Sequence, residues 1–498
     1  MSITAAHAEH NQGFLLHQHH RMEEAEPFYQ RAVALDPDFK EAWMNLGLVL
    51  LTLGRPDEAL SCQREALRLD PENADAQNNL GMIHYAQGHI AEAENCFRTA
   101  LRLRPDHANA TLNLGSARQI LNHIAEADHL FRRALSIGVD EARAKSNLAL
   151  ALLEQARPQE AEQCCRQALA LHSDYPEARS NLALSLLMMG RLEEGFEEYE
   201  SRWDIETMAG PALTGPRWTG QPLNGETILL HAEQGFGDTL QFCRYVPMVA
   251  AAGGRVVLVV PRPLRRIMTT LDGVAEVLSE EDDVLPDFDY HCPLLSLPHA
   301  FRTGMDTIPA PIPYLRADPS PWAGFLDTLP ALKVGLVWAG LSRTAQPHAV
   351  AIDRRRSMRL AEMAPLFSVP GCDFVSLQLG VPAEQRHALP DCMVLHDVSG
   401  HLNDWADTAN LVAGLDLVIA VDTAVAHLAG ALGKPVWLLN RFDTCWRWFL
   451  NRDDTPWYPT MRQFRQATRG DWPGVIHRVR QALAHASQIH FRHRIEEA

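Results

Sequence analysis

At 498 residues the chain is too long for one compact core, so two to four domains are expected. A hydrophobic share of 46% with 21% charged residues excludes a largely disordered polypeptide. The formal charge of −17 is concentrated at the front, where residues 1–206 hold 32 Asp/Glu against 19 Lys/Arg; this argues against nucleic acid as the main partner and is compatible with a protein partner.

The opening "MSITAAHAEHNQGF" has no basic flank followed by an apolar core, so no secretory signal is expected. The most apolar stretch, 246–261, is broken by a Gly pair and Arg255, and no membrane span is expected. Nine scattered cysteines without a C-x-x-C fit reduced thiols and a cytoplasmic location.

From the start of the chain a 34-residue period is visible. Asn11, Asn45, Asn79, Asn113, Asn147 and Asn181 are in phase, followed by small residues at Gly13, Gly47, Gly81, Gly115, Ala149 and Ala183. Two alanine series, from Ala25 and from Ala32, keep the same register, and Pro37, Pro71 and Pro105 close the first three units. A period of this length with small residues at fixed places resembles the tetratricopeptide repeat, which implies pairs of antiparallel helices over residues 1–206. In the second copy Trp43, Leu46, Gly47 and Leu50 form the packing stripe, and Asn45 lies roughly 150° from its centre. Two readings of the asparagines follow. They are solvated positions carried along by duplication, or they form a polypeptide-binding row whose amides bond an extended backbone from both sides.

After residue 206 the pattern changes to short apolar runs alternating with helical segments. Strands are predicted at 227–233, 255–260, 333–339, 373–379, 415–421 and 435–440, with helices at 236–252, 404–414 and 423–432. Alternation of this kind predicts α/β architecture with two doubly wound, Rossmann-like domains, at 222–328 and 329–498, divided by the Pro-rich stretch 308–322.

Two motifs carry chemistry. "AEQGFGDTLQF" (232–242) follows a strand; Gly235 and Gly237 allow close backbone approach, and Asp238 is either a helix cap or a general base. "LVIAVDTAVAHLAGALGKP" (417–435) runs from a buried strand into a helix. Asp422 or Thr423 can cap that helix, and its first amides favour a phosphate, with Ala424 small enough to let one approach. His427 either bonds a phosphate or sugar oxygen or packs in the core, and Trp446 and Trp448 either stack on a base or pack. "DFD" (287–289) is read as a surface turn.

The G-D at Gly237–Asp238 and the D-T-x-x-x-H-L-A run at Asp422–Ala429 resemble motifs of the bacterial heptosyltransferase family. With "GLVWAG" (335–340), "DRRRS" (353–357) and "WYPTMRQFRQ" (457–466), nearly the whole chain resembles bacterial tetratricopeptide-repeat glycosyltransferases, some of which glycosylate flagellin. The array itself is similar to the asparagine ladder of the eukaryotic protein O-GlcNAc transferase. The resemblance implies a metal-independent glycosyltransferase of the B-type (GT-B) architecture. Asp238 would then be the catalytic base, and Gly237, Arg355, Arg356, Asp422, Thr423, Ala424 and His427 would hold the donor. A nucleotide-sugar is the implied co-substrate, with no further cofactor and no metal. The implied acceptor is a polypeptide recruited by the repeats. The alternatives are a lipopolysaccharide or capsule transferase whose repeats dock a partner, and a non-enzymatic scaffold.

Overall fold

The computed structural model describes residues 2–205, 213–282, 284–340 and 347–497. Residues 341–346 lie outside the described residues, and a helix, Pro347–Arg356, follows them.

Residues 2–199 form twelve helices, the first Ser2–Gln18 and the last Leu192–Tyr199. Ala25, Ala59, Ala93, Ala127 and Ala161 are fully buried, as the period predicts. The shared phase of the glycines has a steric cause. A Cβ at Gly81 would lie 2.5 Å from the Phe97 ring, and one at Gly115 2.5 Å from the Phe131 ring. Each second helix stops shortly before its proline: Met22–Leu35, Pro56–Leu69 and Ile90–Leu103 precede Pro37, Pro71 and Pro105. The turns inside the repeats hold a second 34-residue series, with positive φ at His20, Gly54, Gly88, Asn122, Ala156 and Gly190. Only three of the six are glycine, so this series is hidden from composition although the backbone repeats faithfully.

The chain separates into two compact units. One is made of residues 1–155, 163–175 and 344–351, the other of 156–162, 176–343 and 352–498. The second unit thus contains the helices Pro176–Met188 and Leu192–Tyr199 together with both sheets.

The first sheet is parallel, with β1 (Thr227–His231), β2 (Arg255–Val260), β3 (Val274–Ser279) and β4 (Tyr290–Pro293) in the order β3-β2-β1-β4. The second is also parallel. It comprises β5 (Leu332–Val337), β6 (Cys372–Ser376), β7 (His396–Asp397), β8 (Leu417–Val421), β9 (Val436–Asn440) and β10 (Met461–Arg465). Its order, β10-β9-β8-β5-β6-β7, is doubly wound and reverses between β5 and β8. β8 is buried along its whole length, as expected of a central strand covered on both faces. The "DFD" segment helps to hold the first sheet, because the Asp289 carboxylate accepts the Thr227 N–H at 2.8 Å and so fixes the start of β1.

Candidate active site

The first motif leaves β1 and enters the helix Phe236–Phe242. Asp238 commits one carboxylate oxygen to the helix start, where Oδ2 accepts the Gly235 N–H at 2.9 Å. Its other oxygen accepts from Arg447 Nη2. Cap and ion pair therefore coexist on one side chain. Arg447 is buried, donates from Nε to Gln241 Oε1 at 2.7 Å, and lies over the Trp446 ring at 4.3 Å. Burial opposes the Arg447 cation, but the Asp238 carboxylate, Cys445 and Tyr199 together outweigh it and the pKa is raised.

The second motif leaves β8 and enters the helix Ala424–Ala431. Capping by Asp422 or Thr423 is corrected by the structure. Thr423 occupies the N-cap position, but its hydroxyl donates to the Val421 carbonyl at 3.2 Å and makes no side-chain cap. Among the described residues no side chain accepts from the first amides of this helix, which is the arrangement an anion exploits.

The two motifs meet. A Cβ at Gly237 would lie 3.0 Å from His427 Cδ2 and 3.6 Å from Ala424 Cα. Glycine is needed there because the helix of one motif runs against that of the other. His427 is buried, its Nδ1 is 3.0 Å from the Tyr458 hydroxyl, and its ring stacks on Trp448 at 5.1 Å. Burial, with smaller contributions from Arg447 and Arg244, pushes its pKa down to about 4, so the imidazole is neutral near pH 7. Trp446 and Trp448 are both buried in this packing.

The "DRRRS" arginines part company. Arg356 donates from Nη1 to the Asp422 carbonyl at 3.1 Å and bonds Asp353 Oδ1 at 2.9 Å, so it lies beside the second motif. Arg355 turns away, and its Nε is 3.1 Å from Asp443 Oδ2. Gly340, which ends "GLVWAG", is wedged against the same segment: a Cβ there would lie 2.2 Å from Asp353 Oδ1.

Residues that the sequence left unmarked complete the site. Arg447 is one. Arg244 is another: it donates to the Trp457 carbonyl at 2.6 Å and to the Tyr314 hydroxyl at 3.0 Å. The partners lie 213 and 70 residues away along the chain, so no local pattern could reveal them.

The asparagine row is a correction in part. Asn11 is exposed, but Asn45 Nδ2 is 2.9 Å from His10 Nε2 and Asn147 Nδ2 donates to Ser116 Oγ at 3.3 Å. Asn79 Oδ1 accepts from the neighbouring Asn78 at 3.4 Å. Asn113 is buried, donates to Asn78 Oδ1 at 2.9 Å and accepts from Arg143 Nη2 at 3.0 Å. Packing therefore does make a demand on Asn45, Asn113 and Asn147: each ties its helix to the preceding repeat. Asn181 is half-buried and lies in the other compact unit.

No helix among the described residues is long and apolar enough to cross a membrane. A tetratricopeptide-repeat family matches at residues 4–72, 38–106 and 72–138, and a second one at 121–174 and 146–211. Protein FlbA of Caulobacter vibrioides is 29% identical over 321 residues, covering 58% of this chain and 52% of that protein. The chain thus spans about half the length of the curated relative it matches. Among solved structures, the APC/C hetero-tetramer Cut9–Hcn1 aligns with a TM-score of 0.38 at 20% identity, over 41% of this chain and 40% of that one. Pseudomonas aeruginosa PilF aligns with a TM-score of 0.35 at 20% identity, over 42% of this chain and 93% of that one. Tetratricopeptide repeats run through the N-terminal part of the chain to residue 211, and an α/β region of parallel sheets follows them.

Proposed function

We propose that the chain is a metal-independent glycosyltransferase of B-type architecture that moves a sugar from a nucleotide-sugar donor to a polypeptide engaged by its repeats. The observation that carries this reading is the contact of Gly237 with His427 and Ala424. It brings the segment carrying Asp238 against the helix Ala424–Ala431, which supports reading the one as a base and the start of the other as a phosphate site.

In this reading the acceptor hydroxyl gives its proton to Asp238 as its oxygen bonds to the anomeric carbon of the donor sugar. The bond from that carbon to the phosphate oxygen breaks, and its electron pair leaves with the nucleotide. The first amides of the 424–431 helix stabilise that charge. Arg356, tied to the Asp422 carbonyl, adds positive charge nearby. Neutral His427, with Nδ1 facing the Tyr458 hydroxyl, is suited to donating from Nε2 to a phosphate or sugar oxygen. Arg447 sets the direction of the Asp238 carboxylate before the acceptor arrives.

A second reading of the repeats is favoured by Asn113, whose amide is engaged inside the array. The repeats would then dock a folded protein partner rather than hold an extended chain.

The test is transfer by the full chain carrying Asp238→Asn. Turnover is expected to fall at least about 100-fold, the usual weight of a general base, with nucleotide affinity kept within about twofold. An amide offers a single acceptor oxygen where the carboxylate serves both Gly235 and Arg447, so a stability loss of about 1–3 kcal/mol is also expected. Undiminished turnover would reduce Asp238 to a cap.

A further inference from the structure

The last repeat, made of the helices Pro176–Met188 and Leu192–Tyr199, is joined to the first motif at one buried arginine. Arg202 lies in the short helical turn Glu200–Asp204 that continues the repeat, and it is only 1% exposed. Its guanidinium meets the Glu233 carboxylate through two bonds, Nε to Oε2 at 2.9 Å and Nη2 to Oε1 at 2.7 Å. Nη2 also donates to Ser296 Oγ at 2.8 Å, and Nη1 donates to Glu200 Oε1 at 2.8 Å and to the Tyr199 carbonyl at 3.0 Å. The group lies over the rings of Tyr199, at 4.8 Å, and Trp203, at 4.6 Å. A forked contact of this kind fixes the direction of the carboxylate as well as its distance.

Glu233 and Gln234 immediately precede Gly235, whose N–H is the one that Asp238 accepts. Gln234 has a φ of +62°, in the left-handed region that glutamine adopts at a cost. Its Nε2 donates to the Tyr199 hydroxyl at 2.8 Å. A backbone held in such a conformation persists where its surroundings over-determine it. Here the last repeat does so twice, through Arg202 on the residue before Gln234 and through Tyr199 on Gln234 itself. A second line reaches Asp238 from the same repeat. Phe196 packs edge-on against Trp446 at 5.6 Å, Arg447 lies over Trp446 at 4.3 Å, and Arg447 bonds the Asp238 carboxylate.

We propose that Tyr199 and Arg202 are positioning residues, through which the last repeat holds the 232–238 segment in the conformation that presents Asp238 to the acceptor. The proposal rests on the reading of Asp238 as the base. Both residues act through Glu233 and Gln234, so the last repeat serves the transfer site as a structural part of it.

The experiment is hydrogen–deuterium exchange on the full chain, comparing wild type with Tyr199→Phe, Glu233→Gln and Arg202→Lys. Exchange is read in the segment 232–242, in β2 as reference, and beside the melting temperature of each protein. Tyr199→Phe removes one hydroxyl and keeps the ring beside Arg202. It is expected to raise exchange in 232–242 by about threefold or more, with β2 unchanged and the melting temperature within about 2 °C. Glu233→Gln keeps an acceptor but loses the charge, and Arg202→Lys keeps the charge but loses the fork; each is expected to raise exchange in 232–242 by about tenfold. Should Arg202→Lys fail to fold, the other two variants carry the test. Unchanged exchange in 232–242 in both of them would overturn the proposal. So would a rise shared equally by β2, which marks a loss of overall stability.

Turnover gives the second readout, measured as nucleotide release from the nucleotide-sugars of UDP, GDP, ADP, CDP and CMP. Tyr199→Phe is expected to lower kcat by about tenfold with the donor KM kept within about twofold, since the donor is held elsewhere. An unchanged kcat in a variant whose 232–242 segment has loosened would overturn the positioning role. The two failures are distinguishable. A wild type without turnover contradicts the transferase reading and the catalytic purpose of the hold, whereas the exchange result decides whether the repeat holds the segment at all.

Discussion

Asn113 and Asn11 share one place in the repeat and differ in surroundings. Asn113 sits between Asn78 and Arg143, both ends of its amide engaged, whereas Asn11 is exposed on the first helix. Asn113→Ala removes two hydrogen bonds and leaves the buried Asn78 Oδ1 without its donor. A loss of about 1–3 kcal/mol is expected, while Asn11→Ala should stay within about 0.5 kcal/mol. Denaturant titration of the two variants checks this. Equal, negligible effects would mean that the asparagines hold nothing between repeats. The sequence located all six of them but could not show this contact, because an amide 35 residues upstream is invisible to helical periodicity.

Among the elements, the two helices of a repeat pack closely at their glycine position. At Gly115 a Cβ would meet the fully buried Phe131 ring at 2.5 Å, well inside contact distance. Gly115→Ala gains about 1 kcal/mol of helix propensity, but overpacking costs about 1–3 kcal/mol, so a net loss of up to about 2 kcal/mol is expected. The check is the melting midpoint of the repeat helices by far-ultraviolet circular dichroism, and a raised midpoint would contradict the steric account. Most elements were legible because each has a strong local cause: the 34-residue series for the helix pairs, and the apolar runs for β1, β2, β5, β6, β8 and β9. Four strands escaped notice. β3 begins with half-buried and exposed residues, β4 ends on a proline, β7 has two residues, and β10 at the sheet edge reads "MRQFR" with polar residues on both faces. In the site, Asp238 and the 422–427 run stood out because both follow strands. Arg447 and Arg244 did not, since their partners are distant in the chain.

At the scale of the molecule, two buried histidines make the α/β region sensitive to acid. Burial pushes the pKa of both His231 and His427 down to about 4, below the ordinary 6.5 of the unfolded chain. The folded state therefore binds fewer protons than the unfolded chain between pH 6.5 and about pH 4. Stability from these groups is full above pH 6.5 and falls as the pH drops through that window. Each is expected to contribute a loss of about 2 kcal/mol between about pH 7 and about pH 5. Urea titrations at the two pH values measure the total, and His231→Leu should remove its share of the difference. A pH dependence unchanged by that substitution would contradict the assignment.

The central claim is that a nucleotide-sugar is held at the start of the helix Ala424–Ala431. Thermal-shift and calorimetric titration of the full chain with UDP, GDP, ADP, CDP and CMP tests it most directly, because a ligand that binds the folded state raises the melting temperature by mass action. Ala424→Asp is the decisive variant. A carboxylate in the first turn favours the helix dipole and so should preserve folding, but it repels a phosphate at the same amides. The account predicts that at least one of these nucleotides raises the melting temperature of the wild type, and that Ala424→Asp abolishes the rise without lowering the melting temperature of the free protein. No response to any of the five, or an undiminished response in the folded variant, would contradict it.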